Sequence, residues 1–128
     1  MAKSSRSVAT RVVDPTLTVR VEVTNHARKA ARDRIGCCPH STWWLPIAEG
    51  IVLETFQVRK YDDGTRVDGT RGYIVPTKDS DGTEIDLVVA AKNVYAGNGV
   101  RVVTIVTVYV LAINGERVPW SWNGAIPA

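Results

Sequence analysis

Cysteine is scarce in this sequence: Cys37 and Cys38 are the only two, and they are neighbours. A disulfide between adjacent cysteines would close a strained ring, so we expect no disulfide framework within the chain, which is typical of a reducing compartment. Long apolar runs are also absent, and no apolar signal region follows the basic start of the chain. We therefore expect a soluble protein of the cytoplasm.

Several signatures of catalysis and nucleotide binding are missing. The sequence has no glycine-rich phosphate loop, no dinucleotide-binding fingerprint, no Gly-x-Ser-x-Gly elbow and no His-Glu-x-x-His pair. Cys37, Cys38 and His40 are soft ligands, but their spacing is not that of paired Cys-x-x-Cys zinc knuckles. The segment 79–84 is acidic but lacks the full calcium-loop pattern, and a hairpin turn explains it better. We predict no metal and no cofactor.

The overall composition is that of a small globular domain. Of the 128 residues, 45% are hydrophobic and 23% are charged, and a chain of this length can bury one core without disulfides or metals. The net charge of +3 permits a polyanionic partner without requiring one. We expect a loose segment at residues 1–10, a single domain at 11–116 and a tryptophan-rich tail at 117–128.

Two kinds of periodicity follow each other in the first half of the chain. Apolar and polar residues alternate over 17–23, which predicts a half-buried strand. Residues 25–34 then carry alanines at helical spacing, and Gly36 can end that helix. A second short helix is predicted from Ser41 toward Gly50, and Pro46 is expected to bend or shorten it.

The second half of the chain predicts strands. Asp-Gly and Asn-Gly dipeptides, which suit tight hairpin turns, separate the apolar runs. The run 102–109 is apolar on both faces, so we place it at the centre of a sheet. The predicted fold class is α+β, with short N-terminal helical segments packed on a mostly antiparallel sheet of about five strands. The candidate strands are Ile51–Arg59, Gly72–Val75, Glu84–Ala91 and Val100–Ile113.

A helix with a His-Ala start and a distal arginine stands early in the chain, and a Val-Thr-Val-Tyr strand closes the predicted sheet. Three short segments lie between them. In chain order the five segments are His26–Gly36, Ala48–Glu54, Arg71–Val75, Leu87–Val89 and Val103–Tyr109. This order of elements, together with these residues, resembles the small phage and bacterial domains related to the RelE and BrnT toxins. Those domains belong to a ribonuclease-like group that includes barnase and the tRNA-cutting colicins. The resemblance covers roughly residues 19–110 and implies an α+β fold and an RNA substrate. If a phage encodes the chain, we expect it in the host cytoplasm or the virion.

RNA cleavage without a metal needs an acid, a base and a cation that stabilises the phosphorane charge. His26 could supply the acid or the base, because its ordinary pKa lies near neutrality. Arg34 or Arg32 could hold the phosphate, and Thr107 and Tyr109 could donate hydrogen bonds from the last strand. The structural alternative is that His26 braces the start of the helix and that Thr107 and Tyr109 are ordinary sheet residues.

The predicted first helix is strongly basic. Arg28, Lys29, Arg32 and Arg34 are opposed only by Asp33, and Arg28 and Arg32 share a face. Clustered guanidinium groups suit phosphate oxygens, so we single out Arg28, Lys29 and Arg32 as nucleic-acid-binding candidates. The alternative is a solvated outer helix face.

Four tryptophans leave a second function open. Trp43, Trp44, Trp120 and Trp122 could stack on bases, but packing in the core or against a protein partner is the favoured interpretation. The sequence therefore supports two hypotheses. One is a toxin-like ribonuclease or a degenerate RNA-binding relative. The other is a non-enzymatic accessory or virion protein of the phage type that acts by protein contacts or self-association.

Overall fold

Two helices and a seven-stranded sheet make up the residues that the structure, a computed structural model, describes, namely 5–35, 41–59 and 69–119. The strands are β1 (Ser5–Asp14), β2 (Leu17–Thr24), β3 (Gln57–Arg59), β4 (Arg71–Lys78), β5 (Glu84–Gly97), β6 (Val100–Ile113) and β7 (Glu116–Arg117). The helices are α1 (Asn25–Ile35) and α2 (Ser41–Val52). Neither of these helices is long and apolar enough to span a bilayer.

The sheet runs in the order β1-β2-β6-β5-β4-β3, and β7 adds to β6. Every neighbouring pair is antiparallel except β2 and β6, which are parallel. Parallel strands need a long connection rather than a hairpin, and here both helices and three strands separate β2 from β6 along the chain. The predicted α+β class with a mostly antiparallel sheet is confirmed, and so is the central position of 102–109, since β6 lies between β2 and β5.

The N-terminal segment differs from its expected structure. Residues 5–10, which we expected to be loose, belong to β1 and pair with β2. The segment is too polar to read as a strand by apolar alternation. It is held instead by backbone hydrogen bonds at the edge of the sheet, where polar side chains are favoured. Asp14 ends β1, and its Oδ1 accepts a hydrogen bond of 2.7 Å from the backbone N of Thr16.

The strand predicted at 51–59 is mostly wrong. Residues Ile51 and Val52 complete α2, and only Gln57–Arg59 forms a strand. A short apolar run fits a buried helix as well as a strand, and here the helix prevails because Ile51 packs into the core. Pro46 lies inside α2 without ending it, on the exposed side of the helix.

Two hairpin turns follow the predicted chemistry. Asn98 and Gly99 have φ of 55° and 75°, and Asn114 and Gly115 have φ of 49° and 82°. Positive φ at both central positions is what the primed hairpin turns require. Gly99 is also needed for space, since a Cβ there would meet the backbone carbonyl of Thr16 in the β1–β2 turn.

The core lies on the face of the sheet that α2 covers, and a bulge in β6 decides which residues reach it. Val103 and Ile105 face the core before the bulge at Val106, whereas Val108 and Val110 face it afterwards. Because alternate residues point to opposite faces, the bulge turns Thr107 and Tyr109 to the other face. Buried residues of α2 complete the core: Trp44, Leu45, Ile47, Ala48 and Ile51.

Candidate functional site

Helix α1 lies beside a stretch of β6 that has no strand neighbour on that edge. Pairing of β2 with β6 ends at Ile105, and pairing of β7 begins at Ala112. Between these points side chains from the β2–α1 region bind two β6 carbonyls. Thr24 Oγ1 donates to Val106 O at 3.0 Å, and Arg34 Nη1 donates to Val108 O at 3.2 Å. Helix α1 thus lies along the edge of β6 beyond the end of its pairing with β2. Hydrogen bonds from Thr24 and Arg34 satisfy the carbonyls of β6 that would otherwise be buried without a partner.

One face of α1 carries His26, Ala30 and Arg34, which are four residues apart and therefore aligned. His26 Nε2 lies 3.1 Å from Thr107 Oγ1, and Arg34 Nη1 donates to the same oxygen at 3.4 Å. Ala30 has no exposed surface and lets the helix approach closely. The structure thus brings together three of the four residues predicted as catalytic.

Tyr109, the fourth predicted residue, lies on the same face of β6 as Thr107 and is half-buried. Burial lowers the pKa of the Arg34 guanidinium, and the charges of Asp33 and Tyr109 partly offset that effect. Arg34 still carries its charge at neutral pH, because an arginine starts from a pKa far above 7. The cluster of His26, Arg34 and Thr107 therefore contains a permanent cation beside one imidazole and one hydroxyl group.

Burial limits what this cluster can do chemically. Thr107 has no exposed surface, and Arg34 is 7% exposed. Since a guanidinium can only donate, the Thr107 hydroxyl accepts from Arg34, and it donates to His26 Nε2 or accepts from it according to the tautomer of the imidazole. Thr107 therefore cannot touch a substrate, and its contribution is to hold the ring of His26. His26 is half-buried, so it keeps more accessible surface than Arg34 or Thr107.

The basic residues of α1 differ in how they are held. Arg28 donates to Val23 O at 3.1 Å and to Asn25 Oδ1, so its charge is anchored without a carboxylate. Lys29 lies 2.8 Å and Arg32 lies 3.6 Å from the carboxylate of Asp33. The hydrogen bond from Lys29 is the main reason that the pKa of Asp33 is lowered. One carboxylate thus serves two exposed cations, and the outer side of α1 keeps an excess of positive charge.

The tryptophan predictions separate into two groups. Trp44 is 1% exposed and packs edge-on against Trp43, with ring centroids 4.6 Å apart and an interplanar angle of 89°. Trp44 is therefore a core residue and is not available to a partner. Trp43 lines an apolar cavity of about 280 Å³ between α2 and the β4–β5 part of the sheet. Trp120 and Trp122 lie outside the described residues.

Among the described residues, no group of three or more His, Cys, Asp or Glu side chains could hold a metal ion. The predictions for Cys37, Cys38 and His40 fall outside those residues. In the acidic segment 79–84, residues 79–83 form the turn between β4 and β5, and Glu84 begins β5. There, Asp79 Oδ1 accepts from the backbone N of Asp81 at 2.8 Å and of Thr83 at 3.0 Å. These bonds occupy the carboxylate within the turn, as the hairpin interpretation predicted.

A pair that we did not single out from the sequence lies at the far end of the β5–β6 hairpin. The guanidinium carbon of Arg101 lies 5.4 Å from the centroid of the Tyr95 ring. The bulge at Ala96 places these residues opposite each other, whereas an unbulged two-residue turn would pair Arg101 with Ala96. The sequence does show a tyrosine and an arginine on either side of an Asn-Gly turn. It does not show that they pair with each other, because that β5–β6 register depends on the bulge.

No protein-family model, no curated protein and no solved structure matches this chain.

Proposed function

We propose that this chain is an RNA-binding domain of the ribonuclease-like, RelE-related kind, with α1 as its phosphate-binding surface. The observation that carries the proposal is the charge balance of α1. Arg28, Lys29 and Arg32 are opposed by one carboxylate, Asp33, on the outer side of the helix. Phosphate oxygens bind such clusters with release of counterions, so the expected interaction is electrostatic and depends on salt.

The inner side of α1 supports the proposal in a different way. Arg34 and Thr24 hold the helix to the backbone of β6, so the helix backbone that carries the outer cations has a fixed position. A surface that is already rigid loses less conformational entropy when a ligand binds. Because Arg34 is used for this attachment, the RNA contacts fall to the three residues on the outside.

The test of RNA binding measures affinity for single-stranded RNA against salt concentration. Lys29 and Arg32 are both exposed, so Lys29→Gln/Arg32→Gln removes two charges without disturbing the core. If both contact phosphates, the slope of log affinity against log salt should flatten by about 1.4. The matched control is Arg71→Gln/Lys78→Gln, which removes two exposed charges from β4, separated from β6 by β5.

Equal slopes for the wild type and the α1 variant would refute α1 as the binding surface. A smaller slope change in the β4 variant than in the α1 variant is the expected result. Arg28 is the less clean residue to change, because its guanidinium also ties the end of β2 to the start of α1.

Cleavage is the more specific form of the same proposal. His26 is the candidate acid or base, Arg34 supplies the fixed positive charge beside it, and Thr107 orients the imidazole. We expect cleavage in the presence of a chelator, and we expect His26→Asn to abolish it while leaving RNA binding intact. RNA binding without cleavage by the wild type would restrict the function to binding.

Protein binding is the second candidate function, and it is favoured by exposed valines on the sheet face turned away from α2. Val94 is 55% exposed there, and Val12 is also exposed. A wild-type protein that binds no RNA at low salt but self-associates in light scattering would support this candidate. In that case Val94→Ser should weaken the association.

A further inference from the structure

The tip of the β5–β6 hairpin carries an exposed aromatic ring whose position is fixed from two sides. Tyr95 Oη accepts a hydrogen bond of 3.0 Å from the backbone N of Gly99 across the turn. The guanidinium of Arg101 lies over the ring at 5.4 Å from its centroid. The ring nevertheless keeps its surface, because Tyr95 is 56% exposed. The cation lies over one ring face, and more than half of the residue's surface remains open to solvent.

Within residues 5–35, 41–59 and 69–119, no carboxylate forms an ion pair with Arg101. By contrast, Arg11, Arg20, Lys29 and Arg32 all lie near a carboxylate. An arginine beside an open aromatic face combines a flat stacking surface with a charge suited to phosphate. This combination is what single-stranded nucleic acids bind without regard to sequence.

We propose that Tyr95 and Arg101 form a base-stacking site for single-stranded RNA, in which an unpaired base stacks on the open face of Tyr95 and Arg101 binds the adjoining phosphate. The inference rests on the proposed RNA-binding function and names a second contact point for it. The site is separate from α1, because Arg101 and Thr107 are six residues apart on β6, or about 20 Å at a strand rise of about 3.3 Å per residue.

The fixed ring is the main reason to expect useful affinity from a single residue. A side chain already held by the Gly99 hydrogen bond and by Arg101 has little rotational freedom to lose when a base stacks on it. Stacking is tolerant of base identity because every base has a π-face. The site should therefore contribute to affinity for oligoadenylate and oligouridylate alike.

The experiment measures binding of single-stranded oligoadenylate and oligouridylate by the full chain at several salt concentrations. Tyr95→Leu keeps an apolar side chain but removes the ring, and it should weaken binding by roughly 5- to 150-fold, the range for loss of one stacked base. The slope against salt should stay the same, because stacking releases no counterions. Tyr95→Phe keeps the ring but loses the hydrogen bond from Gly99, so its affinity should lie between those of Tyr95→Leu and the wild type.

Leu53→Ala is the control, since Leu53 is also a large exposed apolar residue but lies just after α2, outside both proposed RNA contacts. Thermal unfolding of each variant checks that the hairpin is intact. If the wild type binds RNA and Tyr95→Leu binds it equally tightly, the stacking site is overturned and the proposed function stands. A wild type without RNA affinity at low salt would overturn both.

Discussion

The two helices of this protein are attached to the same sheet by different physical means. Helix α2 has one charged residue, Glu49, and it buries large apolar side chains, including those of Trp44 and Ile51. Helix α1 has five charged residues, and besides Arg34 it buries only alanines. Area removed from water stabilises α2. Directed hydrogen bonds from Thr24 and Arg34 to the edge of β6 position α1.

This difference separates stability from function in a way that substitutions can test. Changes in α2 should act on the free energy of unfolding, because they alter a packed core. Changes on the outer side of α1 should act on ligand binding and leave stability nearly unchanged. Changes at the α1–β6 contact should lower the free energy of unfolding by less than changes in the α2 core and by more than changes on the outer side of α1.

The largest expected effect is that of Trp44→Ala in α2. Truncating a buried tryptophan removes apolar contact and leaves a cavity, so the free energy of unfolding should fall by about 3–5 kcal/mol. Denaturant titration followed by circular dichroism measures the change. Leu53→Ala, at an exposed site just after α2, should cost much less. Comparable losses for both variants would show that α2 is not anchored by its buried face.

A smaller effect is expected at Gly50, also in α2. A Cβ at this position would overlap the ring of Phe56, so Gly50→Ala should lower the free energy of unfolding by roughly 1–3 kcal/mol. In a Phe56→Ala background the overlap is gone. The same change should then stabilise the helix by about 0.5–1 kcal/mol, the preference of a helix for alanine over glycine. If Gly50→Ala lowers the free energy of unfolding in the Phe56→Ala background as it does in the wild type, the contact between Gly50 and Phe56 is not the cause.

At the α1–β6 contact, Thr107→Val should lower the free energy of unfolding by about 1–2 kcal/mol. The change keeps the shape of the side chain but removes the hydroxyl that His26 and Arg34 share, and it leaves those groups short of a buried partner. The same variant should reduce any cleavage activity through the position of His26. Thr104→Val is the control. Thr104 lies at a half-buried position of the same strand, and its change should be nearly neutral.

The smallest effect on stability concerns Asp33 on the outer side of α1. The hydrogen bond from Lys29 lowers the pKa of this carboxyl below its ordinary 3.8, so ionisation of Asp33 favours the folded state. That contribution is present above pH 3.8 and is lost as the pH falls through the lower folded value. The difference in melting temperature between the wild type and Asp33→Asn should therefore disappear in acid.

Asp33→Asn also tests the charge balance of α1. Because Asp33 is the carboxylate that opposes Lys29 and Arg32, its removal should tighten RNA binding at low salt. Unchanged or weaker binding by this variant would count against α1 as the RNA-binding surface, whatever its effect on stability.

Much of the fold follows from local sequence, because strands, helices and turns depend on contacts between near neighbours. Alternation over 17–23, alanines at helical spacing in 25–35 and the two Asn-Gly turns each predict what the structure contains. The segments 5–10 and 51–56 were assigned wrongly. Pairing at the sheet edge holds the first, and burial of Ile51 against the sheet decides the second.

The candidate site depends much more on tertiary structure. Local sequence identifies which groups are available: an imidazole and an arginine on one helix face, and a threonine and a tyrosine on one strand. Local sequence does not show that β2 pairs in parallel with β6 or that this pairing ends at Ile105. The β6 residues that follow Ile105 therefore have a free edge, and α1 meets Thr107 there. Nor does local sequence show the bulges that turn Thr107 to that face and pair Tyr95 with Arg101. Each of these features joins residues far apart in the chain or shifts a register by one residue, and only the packing of the whole sheet decides between such registers.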